Sequence, residues 1–591
     1  MTTNEKINEL RKLMKENNID AYIIPSGDSH QSEYVSDHWK FRDWVSGFSG
    51  SAGTVVVTLN ESGLWTDGRY YIQAEKQLKG SEIKLFKQGM KDVPTFNEWL
   101  EKNLKEGDSI GFDPKTFSQS NFQKLNKDLS KKKIKFCCVD FSENIWKNRP
   151  KIKFDKVFNH NIKFSGFSIS EKLEMVRKEM NDLKVNKYIL GSLDDIAWLF
   201  NIRGNDIPKN PVVMSYAMIS LEKAFLFLRK DQLDFETQEN LKINNVEVFD
   251  YEEISKIVNS LDQNSVVYID SNKINHFIYT KIPKECVIIE GINLTTKLKA
   301  IKNEIELKNL INCQTRDGVA TVKFIYWLKN NIGKEEITEM SADEKLEFFR
   351  NEQEYFVSPS FDTIAGYGDH AAMMHYKATI DNQYVLKEKG MFLIDSGGQY
   401  FDGTTDITRT IVLGDLTDEE KRDFTLVLKA HIGLCSAKFL YGATGSNLDI
   451  LARYPLWKEG IDYKCGTGHG VGYFLNVHEG PHGFSQVPNT VKLEKNMIIT
   501  VEPGIYRENK HGIRIENTVV VVEDSETEFG QFLKFNTISY CPIDLDAICI
   551  EMLDENEKKW LNNYHKEVYE RLSPFLDENI KLWLKNNTKE I

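Results

Sequence analysis

The chain has 591 residues, too many for one hydrophobic core, so about two to four domains are expected. Its net charge of −12 disfavours nucleic acids and anionic membranes as partners, because both bind through concentrated Lys and Arg side chains. No run of roughly 18 apolar residues would span a bilayer, residues 1–18 do not resemble a secretory signal, and the cysteines show no C-x-x-C spacing. We therefore expect a soluble cytosolic protein with reduced thiols.

The first quarter of the chain alternates helix and strand signals. Thr2-x-x-Glu5 resembles a capping box that opens an amphipathic helix. Strands are predicted at 21–24 and 54–58, with a further helix after them. This pattern predicts an α/β domain over residues 1–148.

The next part of the chain repeats the same order of elements. Residues 146–166 are polar and basic without a clear period, and we place a linker there. Ser168-x-x-Glu171 then predicts a capped helix, followed by a strand at 188–190. The repeat predicts a second, duplicated α/β module over residues 149–295.

A third domain is predicted over residues 296–591. Its first helix opens near Lys302, and 317–327 has a clear helical period. An amphipathic helix is predicted at 551–572, where it either packs on the core or contributes to a dimer contact.

One predicted hairpin in this third domain carries two carboxylates. An apolar strand reaches Asp395, a turn is predicted at Asp402-Gly403, and a β-branched run carries Asp406. The two aspartates are an odd number of positions apart, so an even-length loop places them on one face. A two-residue turn at Asp402-Gly403 would still offset them by roughly 13 Å, and a shared metal needs a loop centred nearer Tyr400-Phe401 or a bulge. Taken alone, the pair is more typical of a solvated turn.

Three further candidate ligands follow the hairpin. His469 lies in the glycine-rich run 466–472, where the backbone can approach a ligand closely. Glu502 in V-E-P-G and Glu516 in I-R-I-E-N each follow a predicted strand. Four carboxylates and one imidazole form a hard, oxygen-rich set that suits two Mn²⁺ or similar ions better than a thiolate-bound zinc. A phosphate loop at the same glycines is improbable, because no helix pattern opens there.

These residues, in this order, resemble the pita-bread metallopeptidases, which include methionine aminopeptidase, prolidase and aminopeptidase P. The resemblance is carried by D-x10-D, GHGVG, VEPG and IRIEN, and it spans nearly the whole chain. The motifs W-T-D-G-R-Y at 65–70, H-Y at 375–376, GTGHGVGYFLNVHEGP at 466–481 and WLNNYH at 560–565 are most similar to the long, three-domain Xaa-Pro aminopeptidases. The implied fold class is α/β (α+β), with two related N-terminal α/β domains of mixed sheets before a C-terminal pita-bread catalytic domain.

The resemblance also implies roles for individual residues. Asp395, Asp406 and Glu516 are expected to bind or bridge two metal ions, with His469 and Glu502 completing one side. A hydroxide shared by the two ions would attack the carbonyl carbon of the first residue, and Glu502 would act as general base. The other implied site residues are His375 and His478 for proton transfer, oxyanion stabilisation and substrate binding, Arg514 for holding a ligand carboxylate, and Arg69 for peptide binding.

The implied function is hydrolysis of the Xaa-Pro bond at a peptide N-terminus, with release of the first amino acid. Mn²⁺ is the expected metal, with Zn²⁺ or Co²⁺ as alternatives, and a homodimer through the catalytic domain is expected. Specificity for proline at the second position rests on the resemblance alone. The alternatives are a prolidase-type dipeptidase, which the three-domain length and tail motif argue against, and an inactive peptide-binding module, which the complete ligand set argues against.

Position 465 departs from the family pattern. Related enzymes commonly read H-G-x-G-H, whereas this chain has Cys465 before Gly466. We expect the missing imidazole to belong to the substrate pocket or to the ligands' surroundings rather than to bind metal. Its loss is expected to weaken substrate positioning, and a thiol near metals is open to oxidation and to soft-metal inhibition.

Overall fold

The computed structural model describes residues 1–591, which form two compact units. The first unit contains residues 1–161 and 167–296, and the second contains residues 162–166 and 297–591. None of the helices is both long enough and apolar enough to cross a membrane.

The first unit contains two six-stranded sheets with the same topology. In spatial order, the strands of the first sheet are Lys84–Lys87, Ser62–Thr66, Thr54–Thr58, Ala21–Pro25, Ser109–Phe112 and Lys135–Cys138. Those of the second sheet are Val246–Phe249, Ala224–Phe227, Tyr216–Ser220, Lys187–Leu190, Val266–Ile269 and Val287–Glu290. In both sheets the successive pairs are parallel, antiparallel, antiparallel, parallel and parallel. The predicted duplication of an α/β module with mixed sheets is therefore confirmed.

Helices cover both sheets, and both predicted capping boxes are present, at Thr2 with Glu5 and at Ser168 with Glu171. The helices of the first module are Thr3–Glu16, Phe41–Ser46, Tyr71–Gln77, Phe96–Asn103, Gln119–Asp128 and Ser142–Ile145. Those of the second are Ile169–Asp182, Leu193–Leu199, Phe235–Ile243, Glu253–Asn259 and His276–Tyr279. A short strand pair, Phe158–Asn159 with Ile202–Arg203, lies beside them, and the helix Leu294–Ala300 follows.

The two modules contact each other through reciprocal backbone hydrogen bonds. Gln119 N–H donates to Ile274 O, and His276, 157 residues after Gln119, donates its N–H to Phe117 O. The same offset relates two further hydrogen bonds, from Ser120 N–H to Ser271 O and from Phe277 N–H to Pro114 O. Reciprocal contacts between equivalent positions are the mark of a two-fold interface, so the modules are arranged around a pseudo-two-fold axis.

The second unit combines antiparallel sheets with long helices. Its six-stranded sheet has the order Lys438–Leu440, Gly530–Thr537, Asn517–Thr527, Ile498–Val501, Gly468–Gly470 and Glu479–Phe484. The smaller sheets are Ile364–Tyr367, Met391–Ser396 and Ile407–Val412; Phe356–Pro359, Gly398–Tyr400 and Gly403–Thr404; and the hairpin Gly504–Arg507 with His511–Arg514. The helices are Ile162–Ser165, Glu304–Asn331, Glu339–Asn351, Asp418–Cys435, Gly445–Leu448, Ile450–Trp457, Glu555–Leu572 and Glu578–Asn587.

The main core of the second unit lies between the six-stranded sheet and two of these helices. Val427 of the helix Asp418–Cys435 and Val568 of the helix Glu555–Leu572 are buried in one cluster with Ile499 and Val519 of the sheet. The helix predicted at 551–572 begins at Glu555 rather than at residue 551, because the Asp554 side chain accepts hydrogen bonds from the first free N–H groups. This helix packs on the core, one of the two predicted uses.

The register of the aspartate hairpin decides whether its carboxylates can meet. Asp395 pairs with Thr408, and farther along Tyr400 pairs with Gly403. The loop is thus centred between Phe401 and Asp402, one position before the predicted Asp402-Gly403 turn. Asp395 and Asp406 are then diagonal neighbours on one face, roughly 7 Å apart at Cβ, instead of being four positions out of register.

Candidate metal centre

The candidate ligands project from the ends of strands that meet in the second unit. Asp395 lies in the strand Met391–Ser396, and Asp406 directly precedes the strand Ile407–Val412. Glu516 directly precedes the strand Asn517–Thr527, and its N–H donates to Thr408 O at 3.2 Å. This hydrogen bond joins two sheets at the point where their acidic side chains emerge.

The remaining two ligands come from neighbouring strands of the six-stranded sheet. His469 lies in the strand Gly468–Gly470, and Glu502 directly follows the strand Ile498–Val501. A Cβ on Gly468 would lie 1.8 Å from Thr500 O, so only glycine lets the two strands approach this closely. This glycine lets two strands approach closely, whereas the predicted close approach of the run to a ligand stays a prediction.

The structure brings these side chains together. The ligand atoms of Asp406, His469 and Glu516 all lie within 4.8 Å of one another. His469 Nε2 lies 3.3 Å from Asp406 Oδ2 and 3.7 Å from Glu502 Oε1. Asp395 is close enough that its charge raises the pKa of Glu516.

The tautomer of His469 follows from its hydrogen bond. Nδ1 lies 2.8 Å from Gly470 O, an atom that can only accept, so Nδ1 carries the proton of the neutral ring. In that neutral form the lone pair of Nε2 faces the carboxylates of Asp406 and Glu502, the orientation that a metal-binding imidazole requires. Without a metal, burial opposes protonation, yet these carboxylates raise the pKa of His469 to about 9, so a bound ion takes the place of the proton on Nε2.

The carboxylates repel one another in the absence of a cation. Burial raises the pKa of Asp395 to about 7, against the charge of Arg514 and with the added repulsion of Asp406 and Glu502. Burial, followed by the charges of Asp406 and Asp395, raises the pKa of Glu516 well above its ordinary value. Such a cluster is relieved by bound cations, which favour the ionised carboxylates.

The residues present fit divalent metal ions. Asp395 Oδ1 and Glu516 Oε1 are buried and receive no hydrogen bond from the protein. An unsatisfied buried carboxylate oxygen is costly, and it is expected where a cation is the missing partner. Oxygen donors with one imidazole are the ligands that Mn²⁺ and similar hard ions prefer.

Arg514 holds two of the carboxylates. Its Nη2 donates to Asp395 Oδ2 at 2.5 Å, and its Nε donates to Thr408 Oγ1 at 3.1 Å. The Thr408 hydroxyl in turn donates to Glu516 Oε2 at 2.7 Å. Sequence reasoning missed Thr408, although its alternation with Asp406 on the strand places both on the same face.

His478 lies beside the candidate ligands. Its ring centroid is 4.2 Å from that of His469, with the two rings nearly perpendicular at 86°. The next residue, Glu479, is buried and forms ion pairs with Lys302 and, at 3.1 Å, with Lys299. These lysines anchor the segment that carries His478, and no local sequence signal identifies them.

His375 is half-buried and lies in a turn. The Glu339 carboxylate holds this turn by hydrogen bonds to residues on both sides of His375. Glu339, fully buried, accepts hydrogen bonds from His370 Nδ1 at 3.0 Å, from the Tyr376 hydroxyl at 2.8 Å and from Tyr384 N–H at 2.9 Å. The His370 ring also stacks on Tyr384 with the ring centroids 3.6 Å apart. Glu339 thus fixes the chain on both sides of His375, a role that the sequence did not indicate.

The His375 segment packs against the hairpin that carries Arg514. A Cβ on Gly512 would lie 1.8 Å from Ala371 O, so the close approach of the two backbones requires glycine. Ala371 belongs to the 3₁₀ helix Gly368–Ala372, which ends three residues before His375. This packing sets the His375 segment next to the residues that hold Asp395.

Arg69 lies in the first unit and pairs with an acidic neighbour. Its Nε and Nη2 donate to the two carboxylate oxygens of Asp67 at 2.9 and 2.8 Å. Asp67 raises the pKa of Arg69 despite the opposing effect of burial. The peptide-binding role of Arg69 stays a prediction.

Cys465 is half-buried near Tyr506. Burial raises the pKa of Tyr506, the charge of Arg514 opposes that rise, and the Cys465 thiolate would add to it. The Tyr506 hydroxyl accepts a hydrogen bond from Arg514 Nη1 at 2.6 Å. Position 465 therefore lies close to the residues that orient Arg514.

Family models cover nearly the whole chain. Residues 308–523 match the metallopeptidase family M24, and residues 531–591 match the C-terminal region of peptidase M24. Residues 6–150 and 148–306 each match a creatinase/prolidase N-terminal domain. The two latter matches correspond to the duplicated α/β modules.

Curated relatives align over the same length. A probable Xaa-Pro aminopeptidase P from Laccaria bicolor is 41% identical over 97% of this chain and 91% of its own length. One from Paracoccidioides brasiliensis is 40% identical over 97% of this chain and 96% of its own length. The chain belongs to metallopeptidase family M24. The family predicted from the sequence is thus confirmed, and so is the prediction that this M24 chain is a metal-dependent hydrolase.

Solved structures confirm the predicted fold. The X-prolyl aminopeptidase from Caenorhabditis elegans, described as a cytosolic enzyme with a di-nuclear active site, is 35% identical to this M24 chain, with a TM-score of 0.97 over 100% of both chains. The Xaa-Pro dipeptidase from Bacillus anthracis is 24% identical, with a TM-score of 0.51 over 64% of this chain and 99% of its own. The second likeness shows the shared fold alone.

Proposed function

We propose that this protein is an Xaa-Pro aminopeptidase that releases the first residue from peptides with proline at position two. The main support is the cluster of four carboxylates around His469, three of them buried, in a chain that matches an X-prolyl aminopeptidase over its full length. The relatives carry this activity in their names, in agreement with the activity predicted from the sequence. Three domains, divided near residues 148 and 295, belong to the same proposal.

The proposed metal ligands are Asp395, Asp406, His469, Glu502 and Glu516, which would hold two divalent ions. Such ions, when bound, supply the Lewis acidity that polarises the scissile carbonyl and acidifies water. The hard donor set favours Mn²⁺, with Zn²⁺ or Co²⁺ as alternatives. The description of the C. elegans enzyme as di-nuclear supports the number of ions.

Glu502 is the carboxylate best placed to move a proton. Its side chain is 22% exposed, against 9% for Asp395 and 5% for Asp406, so of these carboxylates it is the one that reaches the substrate side. Its carboxylate accepts the proton of the attacking water and delivers it to the proline nitrogen as the peptide bond breaks. The carbonyl carbon gains the water oxygen and loses the nitrogen, so the reaction is a balanced hydrolysis.

The histidines and arginines have supporting roles. His478 and His375 present imidazole N–H groups to the oxygen that gains charge on the reacting carbonyl. Arg514 keeps Asp395 oriented through the 2.5 Å hydrogen bond to its Oδ2. Arg69 is retained as a peptide-binding residue on the resemblance alone.

The location and the oligomeric state of the protein are also part of what we propose. We place the protein in the cytosol, because the C. elegans enzyme is described as cytosolic. We also propose a homodimer through the catalytic unit, which the resemblance implies and which a sedimentation experiment would test.

A peptide panel tests the proposed activity. Metal-stripped protein and protein with Mn²⁺ restored are incubated with Xaa-Pro-Yaa, Xaa-Ala-Yaa and the dipeptide Xaa-Pro, and the products are identified by mass spectrometry. We expect Mn²⁺-dependent release of the first residue from Xaa-Pro-Yaa, because a tertiary amide with a fixed ring requires a dedicated site. Cleavage of the dipeptide alone would indicate a prolidase, and no cleavage with metal bound would indicate a peptide-binding module.

A further inference from the structure

A buried polar network connects the helix Glu555–Leu572 to the strands that carry the candidate ligands. Its centre is Arg409, which follows Thr408 in the strand Ile407–Val412 and is 3% exposed. The guanidinium donates to the main-chain oxygens of Thr408 at 2.8 Å and Glu516 at 2.6 Å. On its other side it donates to the Tyr564 hydroxyl at 2.7 Å. One buried cation therefore joins three separate segments of the chain.

Every hydrogen-bond partner of Arg409 is a neutral acceptor. The remaining partners are Asn517 Oδ1 at 2.8 Å, Cys541 O at 2.7 Å and Pro542 O at 3.1 Å. A buried guanidinium without a carboxylate is tolerated only when its N–H donors are satisfied. Nη2 divides its two N–H groups among three of these acceptors, Asn517, Cys541 and Tyr564. Loss of the Tyr564 hydroxyl would therefore break the link between the guanidinium and the helix, and the backbone that the guanidinium holds would be free to shift.

Tyr564 extends the network into the tail motif W-L-N-N-Y-H. It lies on the helix Glu555–Leu572, and its hydroxyl donates to Cys541 O at 2.9 Å. Nε2 of the next residue, His565, accepts a hydrogen bond from Ile543 N–H at 3.0 Å. The last two residues of the motif thus point into the protein, where they hold the main chain at Cys541 and Ile543.

A second branch of the network reaches the strand before Glu502. Asn517 Nδ2 lies 3.0 Å from His431 Nε2, and His431 Nδ1 lies 3.1 Å from Val501 O. Since a carbonyl only accepts, Nδ1 carries the proton and Nε2 accepts from the Asn517 amide. Burial, with a smaller contribution from the Arg409 charge, lowers the pKa of His431 to about 3, so the ring stays neutral.

We infer that Tyr564 and Arg409 are positioning residues of the candidate metal centre, and that they raise its affinity for metal. The inference rests on the proposed metal-binding role of Glu516 and Glu502. None of the contacts is to a ligand carboxylate; the network holds the main chain at Glu516 and at Val501, the neighbour of Glu502. It thereby fixes the directions in which both glutamates project. Outer partners of this kind typically change metal affinity by about 10- to 100-fold.

The variant Tyr564→Phe tests the inference, because it removes the hydroxyl and keeps the ring. We expect the dissociation constant for Mn²⁺, measured by calorimetry on metal-stripped full-length protein, to rise by about tenfold or more. At limiting Mn²⁺, kcat/KM for an Xaa-Pro peptide falls by the same factor, and it recovers in excess Mn²⁺. A KM for the peptide that is unchanged at saturating Mn²⁺ locates the effect at the metal and not in the substrate pocket.

Val568→Ala is the matched control. Val568 lies on the same helix, is fully buried and belongs to the hydrophobic core of the second unit. This change lowers the melting temperature by loss of packing and is expected to leave the affinity for Mn²⁺ unchanged.

Two results would overturn the inference: wild-type affinity for Mn²⁺ in Tyr564→Phe, or an equal loss of affinity in Val568→Ala, which would show a merely structural role. Wild-type protein that binds Mn²⁺ but cleaves no Xaa-Pro peptide would refute the proposed function. The comparison of affinities would still decide the inference in that case.

Discussion

At the scale of single residues, the candidate ligands divide their oxygens between the protein and the metal. Asp395 has Oδ2 bound to Arg514 while Oδ1 has no donor, and Glu516 has Oε2 bound to Thr408 while Oε1 has no donor. One oxygen of each carboxylate is thus fixed in direction and the other is left for a cation. This arrangement orients the ligands before metal arrives, which lowers the ordering cost of binding.

Asp406→Asn tests the ligand assignment. We expect kcat/KM for an Xaa-Pro peptide to fall by roughly a thousandfold or more, since the ions supply several kcal/mol of transition-state stabilisation. Metal content should fall while circular dichroism stays native. Asp402→Asn is the control: it makes the same change in the same hairpin, at a turn residue that pairs with Arg316. An Asp406→Asn protein that is active and fully metal-loaded would refute the assignment.

Cys465→His tests whether position 465 limits this enzyme. An imidazole restored beside Tyr506 adds one hydrogen-bonding group to the substrate side, and we expect kcat/KM to rise by about tenfold, the worth of about 1.4 kcal/mol. The variant should also lose inhibition by soft metals that bind thiols. Cys465→Ser separates the two effects, since it removes the thiol without supplying an imidazole. Unchanged kcat/KM in Cys465→His would show that the position is passive.

At the scale of elements, the register of one hairpin and the packing of two loops build the candidate site. The sequence predicted that Asp395 and Asp406 share a face, and it identified the distance problem that a turn at Asp402-Gly403 would cause. It did not predict the actual turn, because Phe401 and Asp402 are set by a second, smaller ladder whose partner strand, Phe356–Pro359, is distant in sequence. Local sequence patterns predict where strands and helix caps lie, whereas the register of a strand also depends on the strands with which it pairs.

The positioning residues illustrate the same limit. Glu339 and the lysines that bind Glu479 act on site segments that are remote in sequence, and nothing in their own neighbourhoods marks them. Arg409 lies three residues after Asp406, but its contact with Glu516 is equally remote in sequence. The candidate ligands themselves lie in short motifs, so the sequence could predict them. Long-range hydrogen bonds decide how those motifs are held, and they become visible only in the folded chain.

A double-mutant cycle tests the role of Glu339 in holding His375. Glu339→Gln alone should lower kcat by about tenfold, because the amide cannot accept all the hydrogen bonds that the carboxylate accepts. In the His375→Ala background the same change should have little effect, since the group that Glu339 positions is gone. Glu344→Gln, at an exposed position of the same helix, is the control. Losses that multiply in the double variant would contradict this role.

At the scale of the whole molecule, metal and stability are linked. In metal-free protein, burial raises the pKa of Asp395 to about 7 and raises the pKa of Glu516 as well, both above their unfolded values. A raised pKa contributes stability that is present at low pH and lost as pH rises through the folded value. The metal-free protein should therefore lose stability as pH rises from about 4 through about 7.

Thermal unfolding of metal-stripped protein between pH 5 and pH 8 measures this linkage. We expect the melting temperature to fall as pH rises, and saturating Mn²⁺ to raise it most at the highest pH, because bound cations favour the ionised carboxylates. Asp395→Asn should weaken the pH dependence of the metal-free protein. A metal-free melting temperature that rises across this range in step with the Mn²⁺-loaded protein would contradict the account.

A titration tests most directly whether two ions held by this cluster carry the activity. Metal-stripped protein is supplied with Mn²⁺ in increments while release of the first residue from an Xaa-Pro-Yaa peptide is followed. We expect activity that is absent without metal and reaches its plateau at about two ions per chain. Full activity without metal, or a plateau at about one ion per chain, would contradict this expectation.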